Sequence, residues 1–142
     1  MLYLDTSALV KLYLIETDGE GIASTVETNA EWLFTSIVTY AETIATLARA
    51  LRENRISRAN YNRQIRAFQS DWEALHVIEL TPAVLARARS LIERHRLRGF
   101  EAIHLCSALW IGSPEFACFD ARLREAAAEE GLAVLPGKVK IS

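Results

Sequence analysis

Apolar positions recur along this chain in short runs that alternate with longer stretches at helical spacing. Leu2 to Leu4 is a brief apolar run that stops at Asp5. Thr6-Ser7 then opens a helix carrying Leu9, Val10, Leu12, Tyr13 and Leu14, apolar nearly all round and so expected to be buried. Asp18-Gly19 breaks the chain, and a weaker helix runs to about Asn29. Trp32 to Ile37, rich in aromatic and β-branched residues, predicts a strand, followed by a long helix from about Val38 to Asn54. Ser57 is a good N-cap for a helix ending near Leu75. His76 to Leu80 predicts a strand, and Thr81-Pro82 starts a helix that ends at Arg98-Gly99. The next helix begins at about Glu101 and stops at Gly112-Ser113-Pro114. Phe116 to Phe119 predicts a strand, Asp120 starts a final helix, and Ala133 to Leu135 forms a last short strand.

Strands alternating with helices imply a parallel sheet covered on both faces. The expectation is one α/β domain over residues 1–142, three layers deep, with four to five short parallel strands. A length of 142 residues suits a single core. The hydrophobic fraction of 51% and charged fraction of 24% exclude a disordered or fibrous chain. No apolar run approaches the roughly 18 residues of a membrane span, and the N-terminus lacks a signal-peptide pattern, so a cytoplasmic protein is expected. Cys106 and Cys118 fall in apolar elements without Cys-x-x-Cys spacing, the pattern of buried thiols rather than of a zinc site or disulfide framework. Trp32, Phe34 and Trp110 lie in elements expected to be buried.

The net charge of −2 hides an uneven distribution. Six arginines between Arg49 and Arg66 face one acid, Glu53, and five between Arg87 and Arg98 face Glu93. Such clusters are ordinarily solvated helix faces, though arginine's planar fork also suits phosphate.

Candidate chemistry gathers where parallel sheets place their sites, at the carboxyl ends of strands. Asp5 follows the first strand and Asp120 the fourth; each is equally an N-cap and a ligand candidate. Glu42 falls just past the edge of the apolar arc of its helix, with Arg49 on nearly the same line two turns on. Glu101 opens an almost wholly apolar helix. Four carboxylates at one sheet end would repel one another unless a hard divalent cation neutralised them, and metal-assisted phosphodiester hydrolysis is the chemistry that follows. His104 reads as a hydrogen-bonded core histidine. No Walker loop, Gly-x-Gly-x-x-Gly or Gly-x-Ser-x-Gly is present, which removes support for nucleotide binding and serine hydrolysis.

Four segments then carry a family resemblance: Leu4-Asp5-Thr6-Ser7-Ala8-Leu9-Val10-Lys11-Leu12-Tyr13, Thr35-Ser36-Ile37-Val38-Thr39-Tyr40-Ala41-Glu42, Leu97-Arg98-Gly99-Phe100-Glu101-Ala102-Ile103-His104-Leu105, and Phe119-Asp120-Ala121-Arg122-Leu123. In this order they resemble the motifs of PIN-domain proteins, specifically VapC-type toxins of type II toxin–antitoxin pairs. The resemblance implies a magnesium- or manganese-dependent endoribonuclease cutting structured RNA of the tRNA or rRNA class. It places the family's carboxylates at Asp5, Glu42, Glu101 and Asp120, with Asp5 and Glu101 at the positions of the direct metal ligands; we expect Asp120 to join them at the metal, Glu42 to help orient water, and Thr6 or Ser7 to bond within the pocket. Glu101 stands where the family has aspartate, and Cys118 where it often has a hydroxyl residue. Arg49 and Arg52 are candidate RNA contacts on their own account, not from the motifs. A cognate antitoxin with a basic tail and a homodimer are the implied partners. The alternatives are a catalytically weak binding module of the same fold and a DNA-directed nuclease.

Overall fold

The computed structural model describes residues 1–14 and 21–137. Five strands form one parallel sheet: β1 (Leu2–Leu4), β2 (Leu33–Ser36), β3 (His76–Ile78), β4 (Glu115–Ala117) and β5 (Ala133–Leu135), in the order β3-β2-β1-β4-β5. The helices are α1 (Thr6–Leu9), α2 (Ile22–Thr28), α3 (Val38–Arg52), α4 (Arg58–Trp72), α5 (Ala88–His95), α6 (Gly99–Ile111) and α7 (Ala121–Glu129). Short 3-10 turns extend α1 over Val10–Leu12 and precede α5 over Val84–Arg87.

Successive side chains of a strand point to opposite faces, and β1 is apolar on both. Tyr3 joins a cluster with Leu91, Leu105, Phe116 and Leu123, beneath α5, α6 and α7. Leu2 and Leu4 join Leu9, Leu47 and Phe68, beneath α1, α3 and α4. The sheet is therefore the middle of three layers, as its sequence pattern implies.

The element boundaries differ from the sequence expectation in ways that have local causes. The fourth strand is Glu115–Ala117 rather than Phe116–Phe119, because Cys118 and Phe119 already belong to the turn that leads into α7. Thr81 Oγ1 does accept the N–H of Val84, at 3.2 Å, but the segment first makes a 3-10 turn. Helix α5 then closes early, at Arg96, whose φ of 56° is left-handed. Trp32 and Trp110 are not buried: they are 55% and 58% exposed, Trp32 just before β2 and Trp110 in the last turn of α6. The break expected at Asp18-Gly19 lies outside the described residues. Among the described residues, no helix is long and apolar enough to cross a membrane.

The sheet order reverses at β1, whose first chain neighbour β2 lies on one side and β4 on the other. Open α/β sheets place ligands in the crevice at such a switch point. Asp5 and Asp120 leave the sheet there.

Candidate active site

A cleft of about 480 Å³ opens at the carboxyl ends of β1 and β4. All four carboxylates expected from the sequence line it, together with Thr6, Ser7, Lys11, Phe100 and His104. The chain thus brings Asp5, Glu42, Glu101 and Asp120 together from four separate segments.

Three of them close helix N-termini. Asp5 Oδ1 accepts the N–H of Ala8 at 2.9 Å, and Asp120 Oδ1 accepts that of Leu123 at 2.9 Å. Glu101 Oε1 accepts the N–H of Arg98 at 3.1 Å, turned back on the start of its own helix. In Asp5 and Asp120 the cap uses Oδ1 alone, so capping and ligation do not compete for the same atom. The choice between cap and ligand posed by Asp5 and Asp120 is therefore not exclusive.

Environment separates these acids. Asp5 is buried, and burial pushes its carboxyl above the ordinary aspartate range; His104, Cys118, Ser7 and the Ala8 N–H pull the other way. Glu42 is half-buried. Burial raises it too, but hydrogen bonds from His104 and Thr6 outweigh that and leave it below the usual glutamate value. Asp120, by contrast, is exposed.

The hydroxyls are placed as supports. Ser7 Oγ donates to Asp5 Oδ1 at 2.7 Å and accepts the N–H of Phe119 at 2.8 Å. Thr6 Oγ1 donates to Glu42 Oε1 at 2.6 Å. Cys118 Sγ accepts the N–H of Asp120 at 3.3 Å. Burial and the neighbouring Asp5 charge push its thiol far up, so it stays protonated and inert. The sulfur thus supports the turn before Asp120 despite lacking a hydroxyl.

His104 is the site residue that its apolar surroundings concealed. It is a buried, hydrogen-bonded histidine, as expected, yet its Nε2 lies 3.0 Å from Glu42 Oε1 at the cleft wall. The signal was its i+3 spacing from Glu101, which puts both on one side of α6. Lys11 and Phe100 also went unnoticed; Lys11 Nζ sits 5.1 Å above the Phe119 ring. Arg49 and Arg52 line a second hollow of about 350 Å³ that shares Thr6, Glu42 and Thr46 with the main cleft.

The PIN domain family model matches residues 2–129. The chain belongs to the PIN-domain family. Ribonuclease VapC49 of Mycobacterium tuberculosis H37Rv is 35% identical over 141 residues, which is 98% of this chain and 97% of that protein. Ribonuclease VapC35 of the same strain is 33% identical over 145 residues, 99% of this chain and 100% of the relative. The chain accordingly groups with the VapC-type members. Solved structures of the same fold include a toxin–antitoxin complex from Klebsiella pneumoniae, with TM-score 0.72 and 15% identity, covering 99% of this chain and 100% of that one. VapC20 of Mycobacterium tuberculosis, described as a sarcin-ricin loop cleaving toxin, superposes with TM-score 0.70 at 15% identity over 99% of this chain and 100% of its own.

A divalent cation fits the donor chemistry of this PIN cleft. Its acids offer hard carboxylate oxygens, the ligands magnesium and manganese prefer. Burying Asp5 among other acids is costly without a compensating cation. Among the described residues, however, no three His, Cys, Asp or Glu side chains already stand in a metal-holding arrangement. The Glu101 carboxylate, drawn back to Arg98, would have to turn toward its neighbours.

Proposed function

We propose that this protein is a divalent-metal-dependent endoribonuclease toxin of a toxin–antitoxin pair, hydrolysing phosphodiester bonds in structured RNA of the tRNA or rRNA class. The observation that carries the proposal is the convergence of Asp5, Glu42, Glu101 and Asp120 on one cleft at the switch point of a PIN fold. Relatives named as ribonucleases, aligned over nearly the whole chain, support it.

Asp5, Glu101 and Asp120 would hold magnesium or manganese. The ion supplies positive charge that polarises the scissile phosphate and eases deprotonation of the attacking water. Glu42, fixed through Oε1 by Thr6 and His104, orients that water. Ser7 holds the Asp5 carboxylate. Arg49 and Arg52 border the adjoining hollow, where they meet RNA phosphates.

The proposed partner is an antitoxin whose basic tail enters the acidic cleft and takes the place of the cation's charge. Solved neighbours of this fold that are toxin–antitoxin complexes support such a partner. The proposed assembly is a symmetric homodimer with two clefts across a shared groove.

The test is cleavage of total RNA by the purified, antitoxin-free protein with magnesium, with manganese and with a chelator, the cut sites being mapped. Discrete cuts that vanish with the chelator are expected; intact RNA under all conditions refutes the proposal. A second reading rests on the Glu101–Arg98 contact, which turns one oxygen of a cleft carboxylate back onto its own helix. That reading, a PIN-fold binding module with little turnover, requires RNA to bind and remain uncut.

A further inference from the structure

The face of the sheet beneath α6 is apolar, formed by residues such as Leu91, Leu105 and Phe116, yet it contains a phenol and an imidazole in direct contact. Tyr3 Oη lies 2.8 Å from His104 Nδ1, and His104 Nε2 lies 3.0 Å from Glu42 Oε1. Thr6 Oγ1 donates to the same Oε1 and stands 3.3 Å from Nε2. The chain Tyr3–His104–Glu42 thus runs from a fully buried side chain in the central strand to the wall of the cleft.

The chemistry of Glu42 fixes the direction of the bond at the cleft wall. A carboxylate only accepts, so His104 Nε2 carries a proton and donates it to Glu42. The Tyr3 hydroxyl engages the other ring nitrogen, so both imidazole nitrogens are held from opposite ends. Tyr3 is itself immobilised, stacked on Phe116 at 5.4 Å with ring planes 2° apart. Placing two polar rings in an apolar layer is unfavourable unless each is satisfied, and here each satisfies the next. Both donors to Glu42 converge on Oε1. Its Oε2 carries neither bond.

We propose that His104 is a positioning residue for the proposed ribonuclease reaction, holding the Glu42 carboxylate in one orientation, with Tyr3 fixing the imidazole through its other ring nitrogen. This rests on the nuclease reading above and assigns to the core of the fold a part in its chemistry. His104 has both ring nitrogens engaged by protein side chains, Tyr3 Oη and Glu42 Oε1. It acts through Glu42, as residues behind a metal site's ligands commonly do.

Three variants of the full chain, with one spectroscopic measurement, test it. In His104→Leu the shape is retained and the donor lost; kcat falls about 10- to 100-fold while KM stays within about twofold. His104→Gln restores an N–H toward Glu42 and recovers most of that loss. Tyr3→Phe removes only the hydroxyl, keeps the stack on Phe116, and lowers kcat in the same direction by a smaller factor. A purely structural role would lower the melting temperature in all three and leave kcat per folded molecule unchanged. Equal losses in His104→Leu and His104→Gln, or wild-type kcat in His104→Leu, overturn the proposal. Imidazole nitrogen shifts of the wild-type protein give the independent check: an Nε2 that carries a proton supports it, and a bare Nε2 overturns it even if the other variants fail to fold. Failure of the wild type to cut RNA refutes the nuclease reading instead, and leaves this tautomer measurement still decisive for the contact.

Discussion

The Ser7 hydroxyl accepts the backbone N–H of Phe119 at 2.8 Å while donating to Asp5 Oδ1 at 2.7 Å. One small side chain therefore ties the end of β1 to the turn that presents Asp120, across 112 positions of sequence. Ser7→Ala leaves the Phe119 N–H without that acceptor and Asp5 with one donor fewer. It is expected to lower unfolding stability by about 1–3 kcal/mol, measured by urea denaturation, and to reduce RNA cleavage further than the stability loss explains.

Asp5→Asn separates the two roles of Asp5. Asparagine caps a helix about as well as aspartate, so metal-free stability is expected to be unchanged or slightly raised, since an uncharged group replaces a buried carboxylate. Cleavage should disappear. The rise in melting temperature on adding magnesium should disappear with it; a native state that binds the ion gains about 2.7 kcal/mol at 100 times the dissociation constant. Normal cleavage with an intact magnesium response would show that Asp5 is a cap alone.

Glu42 gives a pH signature in the absence of metal. Its folded-state value is lowered: burial opposes this, but the bonds from His104 and Thr6 prevail. The folded protein therefore binds this proton less readily than the unfolded chain. The resulting stability is present above the unfolded glutamate value and is lost as pH falls through the lowered folded value. Denaturation midpoints measured in chelator from neutral pH downward should drop less steeply for Glu42→Gln than for the wild type. Parallel curves would mean that the carboxylate is not held as described.

Arg49 and Arg52 should matter for binding rather than for turnover. Arg49→Ala and Arg52→Ala are each expected to raise KM for RNA, leave kcat nearly unchanged, and reduce the slope of log affinity against log salt by about 1. Arg49 lies 4.0 Å from Glu53 at the exposed end of α3, a weak pair that does not prevent the arginine from turning to a phosphate. An unaltered salt slope would return both residues to an ordinary solvated helix face.

Assembly and inhibition are checked together. Light scattering at micromolar concentration should give about twice 15.9 kDa. Co-purification with the neighbouring gene product should suppress cleavage, and deleting that partner's basic tail should restore it. A monomeric mass rejects the dimer, and a fully active complex rejects the tail.

Much of this protein is determined locally and was therefore legible in its sequence. The alternation of short apolar runs with helical stretches specified a parallel α/β sheet, because only a strand covered on both faces is apolar at every position, as β1 is. Ser57 and Asp120 each cap the helix they precede, since such a bond spans only three residues. Asp5 and Asp120 were found as acids following strands. What the sequence could not decide were relationships between distant segments. Glu42 looked like the edge of an amphipathic arc until α3 packed beside α1 and brought Thr6 within 2.6 Å. His104 looked like core, and it is core; only the meeting of β1, α3 and α6 gives its two ring nitrogens different partners. Trp32 and Trp110 failed the burial expectation for the converse reason, because hydrophobicity favours burial but only the packing of the whole chain decides which apolar side chains are covered. Caps and strand patterns arise within a few residues of chain. A cleft shared by four carboxylates exists only once the sheet order has been set.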